Sequence, residues 1–188
     1  MALPFFPEKK NPPSAAPGKA EKLSTKASPL VRPKSVAISG ILTPDVVLQA
    51  PSAVGKDELI ALLVNRLCER RNLGAPAPFL AKVLERERGI STTLDTGLSL
   101  PHARVDSLTN IVAALALVPQ GLVDPNAGDL TIKLMFLFFS SSSAPMLPLH
   151  LQLLRGVASL FQPPLIAAVA AAPDPAAALA IIRKVETP

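Results

Sequence analysis

Apolar and polar positions change period several times along the chain. Behind Asp57 and Glu58, the residues Leu59, Leu62, Leu63, Arg66, Leu67 and Arg70 recur at i, i+3, i+4 spacing. That rhythm predicts an amphipathic helix with leucine on one stripe and arginine beside it, ended by Asn72 and Gly74. A second helix is expected from about Pro76 to Arg88, with Phe79, Leu80, Val83 and Leu84 on its apolar face. Then the period falls to two. Leu94, Leu98 and Leu100 share one parity, which reads as a loop running into a strand. The runs 110–118 and 130–139 are continuously apolar, as strands covered on both faces are. Residues 119–129, PQGLVDPNAGD, are dense in turn formers and read as their connection. Helical spacing returns over 147–161, with Leu147, Leu151, Leu154, Ala158 and Phe161 on the expected stripe, and continues in 165–172 and 174–185. A short strand is expected at 46–48. Helices, then strands, then helices predict an α/β (α+β) domain over 37–188, with a mixed central sheet flanked by helices.

Residues 1–36 show no such period. They hold seven prolines and seven Lys or Arg against two acids, which accounts for the whole net charge of +5. The remaining chain is balanced at twelve bases and twelve acids, so the high pI belongs to a disordered Pro/Lys-rich tail. A basic nucleic-acid-binding face is therefore not expected on the domain. Cys68, the single cysteine, lies in the first helical pattern and reads as a buried, inert thiol. It fits a reducing cytoplasm. Pro4 and Pro7 break the apolar start of the chain, and the run 132–139 is far shorter than the ~20 residues of a spanning helix. Neither a targeting segment nor membrane insertion is expected.

The candidate chemistry rests on two histidines, His102 and His150. A histidine on an apolar background is more often structural than functional. His102, however, follows Pro101, which cannot donate to a sheet ladder, so the strand is expected to stop and the chain to turn there. Arg104 lies two residues on, and Arg86 closes the preceding helix. A neutral imidazole is a nucleophile that can accept a phosphoryl group, and guanidinium groups stabilise the resulting dianion. The chain has no phosphate-binding glycine loop and no metal-ligand spacing, so no cofactor or metal is expected.

ERERGISTTLDTGLSLPHAR, residues 85–104, resembles the active-site signature of the phosphotransferase-system enzyme IIA domains of the mannitol/fructose type, a family that includes the nitrogen-regulatory IIA proteins. Glu87, Leu94, Leu98, Leu100, Pro101, His102 and Ala103 match its pattern. Asp95 stands where Gly or Ala is usual and is expected to bring negative charge near His102. Ser99 replaces a usual Ala and is counted, with Arg104, among the groups expected to contact the phosphoryl group. HLQLLRGVASL resembles the helix that carries the family's second histidine, here His150, and Arg86 takes the position of its active-site arginine. The resemblance implies a histidine phosphocarrier in which His102 accepts a phosphoryl group from HPr or its nitrogen-branch relative. His102 then passes it to a IIB partner or keeps it as a regulatory mark, while His150 and Arg86 steady it. The alternative is a IIA-like regulatory protein that acts by protein–protein interaction without phosphorylation.

Overall fold

The computed structural model describes residues 37–186, so the segment 1–36 lies outside the described residues. In order the elements are α1 (Ile38–Ile41), β1 (Val47–Gln49), α2 (Lys56–Arg71), α3 (Ala77–Gly89), β2 (Leu98–Ser99), β3 (His102–Val105), β4 (Val112–Asp124), β5 (Leu130–Ser141), α4 (Leu147–Leu160), α5 (Pro163–Ala170) and α6 (Pro175–Glu186). The sheet runs β1-β4-β5-β2, with β3 also on β5. β4 and β5 pair antiparallel, while β1 on β4 and both β2 and β3 on β5 are parallel. Among the described residues no single helix is long and apolar enough to cross a membrane.

The two continuous apolar runs form the antiparallel centre of the sheet. Residues 113–118 of β4 and 134–139 of β5 are completely buried. Successive side chains of a strand point to opposite faces. Phe136 accordingly meets Phe161 at the end of α4, whereas Phe139 meets Phe79 of α3 edge-to-face at 5.2 Å. Helices therefore cover both faces, α2 and α3 on one and α4 to α6 on the other. Each fully buried phenylalanine contributes roughly 1.5–3 kcal/mol.

The α2 stripe is Leu59, Leu63 and Leu67, joined by Ile60, Val64 and a buried Cys68 whose thiol pKa is raised by burial. Leu62 is exposed. Asn72 takes the left-handed conformation that ends α2, at φ 51°. Asp174 accepts a hydrogen bond from the Ala177 N–H and caps α6.

Three expectations are corrected. Residues 119–124 are not a turn, because β4 continues to Asp124 through a register shift between Leu117 and Leu122. Gly121 permits that shift: its φ is +81°, and a Cβ there would meet Thr131 Cγ2 at 2.7 Å. The turn is confined to 125–129. In α4 the buried side chains are His150, Leu153 and Val157, while Leu147 and Leu151 are exposed. The buried face lies one position from the expected leucine stripe, because leucines flank it on both sides. Finally, the chain does not turn at Pro101. Leu98 is paired with Leu134 and His102 with Phe138, the same offset on either side. Pro101 interrupts an edge strand without redirecting it, and its carbonyl still accepts the Phe138 N–H at 3.1 Å.

Beneath the loop before β2 lies a buried ionic cluster. Lys56 Nζ is 2.6 Å from Asp124 Oδ2 and 2.8 Å from Glu87 Oε2, the latter without a well-directed hydrogen bond. Ser91 and Thr93 hydroxyls each donate to Asp124 at 2.6 Å, and Thr92 donates to Glu87 at 2.5 Å. One chain segment, 91–93, is thereby tied to α2, α3 and β4 at once. Burial pushes the Asp124 carboxyl up, but the bonds from Lys56, Ser91, Thr93 and the Asn126 N–H outweigh it and hold it at about 2. Lys56→Met leaves two carboxylates without their cation, and is expected to destabilise the domain by about 3–5 kcal/mol in urea unfolding. A loss under ~1 kcal/mol would show that the cluster does not hold the fold.

Candidate active site

His102 opens β3 and is half-buried. Its ring stacks on Phe138, directly across the ladder, with centroids 5.4 Å apart and planes 12° from parallel. Its Nδ1 lies 2.7 Å from the Leu100 carbonyl oxygen. A carbonyl only accepts, so Nδ1 carries the proton and Nε2 keeps its lone pair. His150 reaches the same place from α4. Its ring centroid is 5.4 Å from that of His102 and 5.1 Å from Phe138, and its Nδ1 is bonded to Ser140 Oγ at 2.7 Å.

A cleft of about 400 Å³ opens over the two rings, lined by Lys82, Glu85, Arg86, His102, Ala103, Arg104 and His150. Three cations thus face two imidazoles. Arg86 is exposed near the end of α3 and donates from Nη1 to the Ile90 carbonyl at 3.1 Å. Arg104 is fixed more firmly, donating from Nε to Ser141 O at 3.2 Å and from Nη2 to Ser143 O at 2.7 Å. No group of three or more His, Cys, Asp or Glu side chains among the described residues is arranged to hold a metal ion.

The imidazoles are kept neutral. Burial lowers the His102 pKa, the Leu100 carbonyl raises it, Arg86 lowers it and Glu87 raises it, with a net fall below the ordinary 6.5. Burial, then the neighbouring His102 and Arg104, bring His150 down to about 4. A neutral imidazole beside fixed cations is arranged to receive an anion.

His102, His150, Arg86 and Arg104 are therefore brought together, whereas Ser99 is not. It is fully buried and bonds Thr93 Oγ1 at 3.2 Å, on the opposite parity of the strand from His102. The usual alanine and this serine both suit a small buried position. Asp95 is corrected as well. It is exposed in a turn closed by the Gly97 N–H on the Leu94 carbonyl. Leu98 alone is four residues from His102, roughly 13 Å at ~3.3 Å per residue, so Asp95 lies beyond that, outside the cleft. The left-handed residue of the turn is Gly97, at φ +90°, so an aspartate at 95 leaves the turn unstrained. Sequence reasoning missed Lys82, which stands four residues before Arg86 on one face of α3, a spacing that was available. It also missed Phe138 and Ser140, whose roles depend on strand register, for which the sequence carries no local signal.

Fold and site together define an α/β domain with a mixed sheet and paired imidazoles in a cationic cleft at its edge. The family follows from the sequence: residues 40–185 match the model of the phosphoenolpyruvate-dependent sugar phosphotransferase system EIIA 2 family, and the chain belongs to it. No curated protein sequence matches the chain. Solved structures share the fold at low identity. The nitrogen regulatory protein IIA-Ntr from Neisseria meningitidis is 20% identical, with a TM-score of 0.68 over 77% of this chain and 98% of its own. The IIA mannitol protein from Escherichia coli is 17% identical, with a TM-score of 0.63 over 75% and 98%. The same enzyme in complex with phosphorylated enzyme IIB is 16% identical, with a TM-score of 0.64 over 76% and 97%.

The His150 pKa gives a pH dependence. The unfolded histidine binds a proton near 6.5 and the folded one only near 4, so the unfolded state binds more protons between those values. Stability is then lost as pH falls from about 6.5 to about 4. His150→Gln is expected to flatten that part of a melting-temperature profile. An unchanged slope would assign the acid sensitivity to other groups.

Proposed function

We propose that the protein is a cytoplasmic histidine phosphocarrier that accepts a phosphoryl group on Nε2 of His102 from the phosphohistidine of an HPr-like carrier. The carrying observation is the bond from Nδ1–H to the Leu100 carbonyl, which leaves Nε2 as the nucleophilic nitrogen of a ring facing the cationic cleft. One nitrogen–phosphorus bond breaks on the donor as another forms on His102, and the donor imidazole recovers its lone pair. The transferred group carries negative oxygens throughout, so positioning and charge stabilisation supply most of the catalysis. Arg86, Arg104 and Lys82 are the cations for that charge. The phosphoryl group then moves to a IIB partner, or stays as a mark read by a regulatory target. The IIB fate is supported by the fold shared with a IIA that forms a complex with phosphorylated IIB.

The test is intact mass after incubation with phosphoenolpyruvate, enzyme I and HPr. One acid-labile phosphoryl adduct is expected, absent in His102→Ala. An adduct that persists in His102→Ala would reassign the acceptor. No adduct with two verified phospho-donors would favour a IIA-like protein that binds partners without phosphorylation. Because burial lowers the His102 pKa, the fall of acceptance in acid is expected at a lower pH than for an exposed imidazole of pKa 6.5. A rate that halves near 6.5 would mean the ring titrates as if exposed. Arg86→Ala is expected to slow acceptance by about 100- to 1,000-fold, the range for losing one donor to a developing charge. A rate within twofold of wild type would remove Arg86 from the site.

A further inference from the structure

The two imidazoles are held by different partners, and the difference has a chemical consequence. The partner of His102 Nδ1 is a carbonyl oxygen, which can only accept. The partner of His150 Nδ1 is the hydroxyl of Ser140, which can do either. Ser140 is completely buried, and among the described residues its hydroxyl has no hydrogen-bond partner besides His150. If His150 Nδ1 carried the proton, it would donate to Oγ and the serine O–H would be left with no acceptor. That orphaned donor would bear its full desolvation cost. With the serine donating, both groups are satisfied.

We infer that Ser140 donates to Nδ1 of His150 and so fixes this imidazole as the Nε2–H tautomer, making Ser140 a positioning residue for the second histidine. The inference concerns the resting protein; its effect on rate rests on the phosphocarrier reading. The two rings then carry opposite tautomers in one cleft. His102 has a bare Nε2, and His150 has an Nε2–H. A nucleophile needs the first, and a group that stabilises a phosphoryl oxygen needs the second. The opposite assignment would turn a lone pair of His150 towards the phosphoryl anion. The tautomers are set from two segments, but both rings rest on one short stretch of β5. His102 is paired with Phe138 in the parallel ladder and Arg104 with Ser140. Phe138 and Ser140, two apart, share one face of β5, so the residue under the nucleophile and the residue that orients its neighbour are spaced by one strand repeat.

Long-range proton–nitrogen NMR correlations of the full-length, unphosphorylated protein near pH 7.5 read each tautomer directly. His150 is expected to show a single neutral Nε2–H pattern and His102 a single Nδ1–H pattern. An Nδ1–H pattern for His150 would overturn the inference, and this spectrum decides even if a variant fails to fold. In Ser140→Ala, His150 is expected to lose the single pattern and show both tautomers. Phosphoryl acceptance at saturating donor should fall about three- to tenfold, with KM for the donor unchanged, as for loss of one hydrogen bond. Ser140→Thr, which keeps a hydroxyl, is expected to restore both. A Ser140→Ala protein that keeps the single Nε2–H pattern would also overturn it. A wild-type protein with the expected tautomers that takes no phosphoryl group would instead sink the phosphocarrier reading and leave the tautomer assignment standing.

Discussion

The register between the edge strand and β5 is the constraint on which the site depends. His102 sits opposite Phe138 and Arg104 opposite Ser140. A slip of one residue would turn His102 to the other face of the sheet, away from α4 and His150. Parallel pairing onto a strand buried on both faces holds this register, because a one-residue slip would exchange the buried sites of Leu98 and Leu100 with that of the small Ser99, which bonds Thr93. Pro101 lies in the middle of the strand without breaking the register. An edge strand has one side free of ladder bonds, and proline is tolerated there. The Leu100 carbonyl is thus available to His102 Nδ1, and a local break in the strand becomes the handle that sets the imidazole.

The second wall of the cleft is positioned from below. Arg86 and Lys82 belong to α3, and the residue after Arg86 is Glu87, which points inward to Lys56. Asp124 at the far end of β4 holds the same lysine and the hydroxyls of Ser91 and Thr93. The cluster carries two carboxylates for one lysine, and hydroxyl donors supply the remaining stabilisation. Such a cluster is a weak source of net stability and a strong source of geometry, since removing the lysine leaves two buried carboxylates without a cation. Here it fixes the end of α3 relative to the loop that becomes the histidine strand. The cationic residues of one element and His102 of another are in this way referred to a common point.

How much of this could be read beforehand depended on range. The helices α2 and α3 and the strand pair β4/β5 were legible because their signals are local: a 3.6 period, a capping residue, a continuous apolar run. His102, His150 and Arg86 were legible through a motif whose spacing is carried by the sequence. The failures share a cause. PQGLVDPNAGD has turn composition, yet its first half is held in the ladder by pairing with residues 130–132. In α4 the true face runs through His150, Leu153 and Val157, and a leucine-rich helix offers two stripes of similar hydrophobicity, between which only tertiary packing chooses. Ser99 and Asp95 lie close to His102 in sequence, which suggests a place at or near the site. In a strand, however, adjacent residues face opposite sides, and seven residues carry the chain well past the cleft.

The electrostatics of the cleft also follow from placement. Lys82, Arg86 and Arg104 line the cleft, and among the described residues the buried cation, Lys56, belongs to the cluster with Glu87 and Asp124. Burial disfavours an imidazolium at both rings, and so do Arg86 at His102 and Arg104 at His150; on the proposed function these two guanidinium groups would also stabilise the phosphoryl group. Before an anion arrives, the rim is a cluster of mutually repelling charges partly relieved by Glu85 and by the carbonyls of Ile90, Ser141 and Ser143. An arriving dianion relieves that repulsion directly. Charges placed in this way favour an occupied anion site over an empty cleft. This is the condition for a site whose catalysis rests on charges fixed in advance.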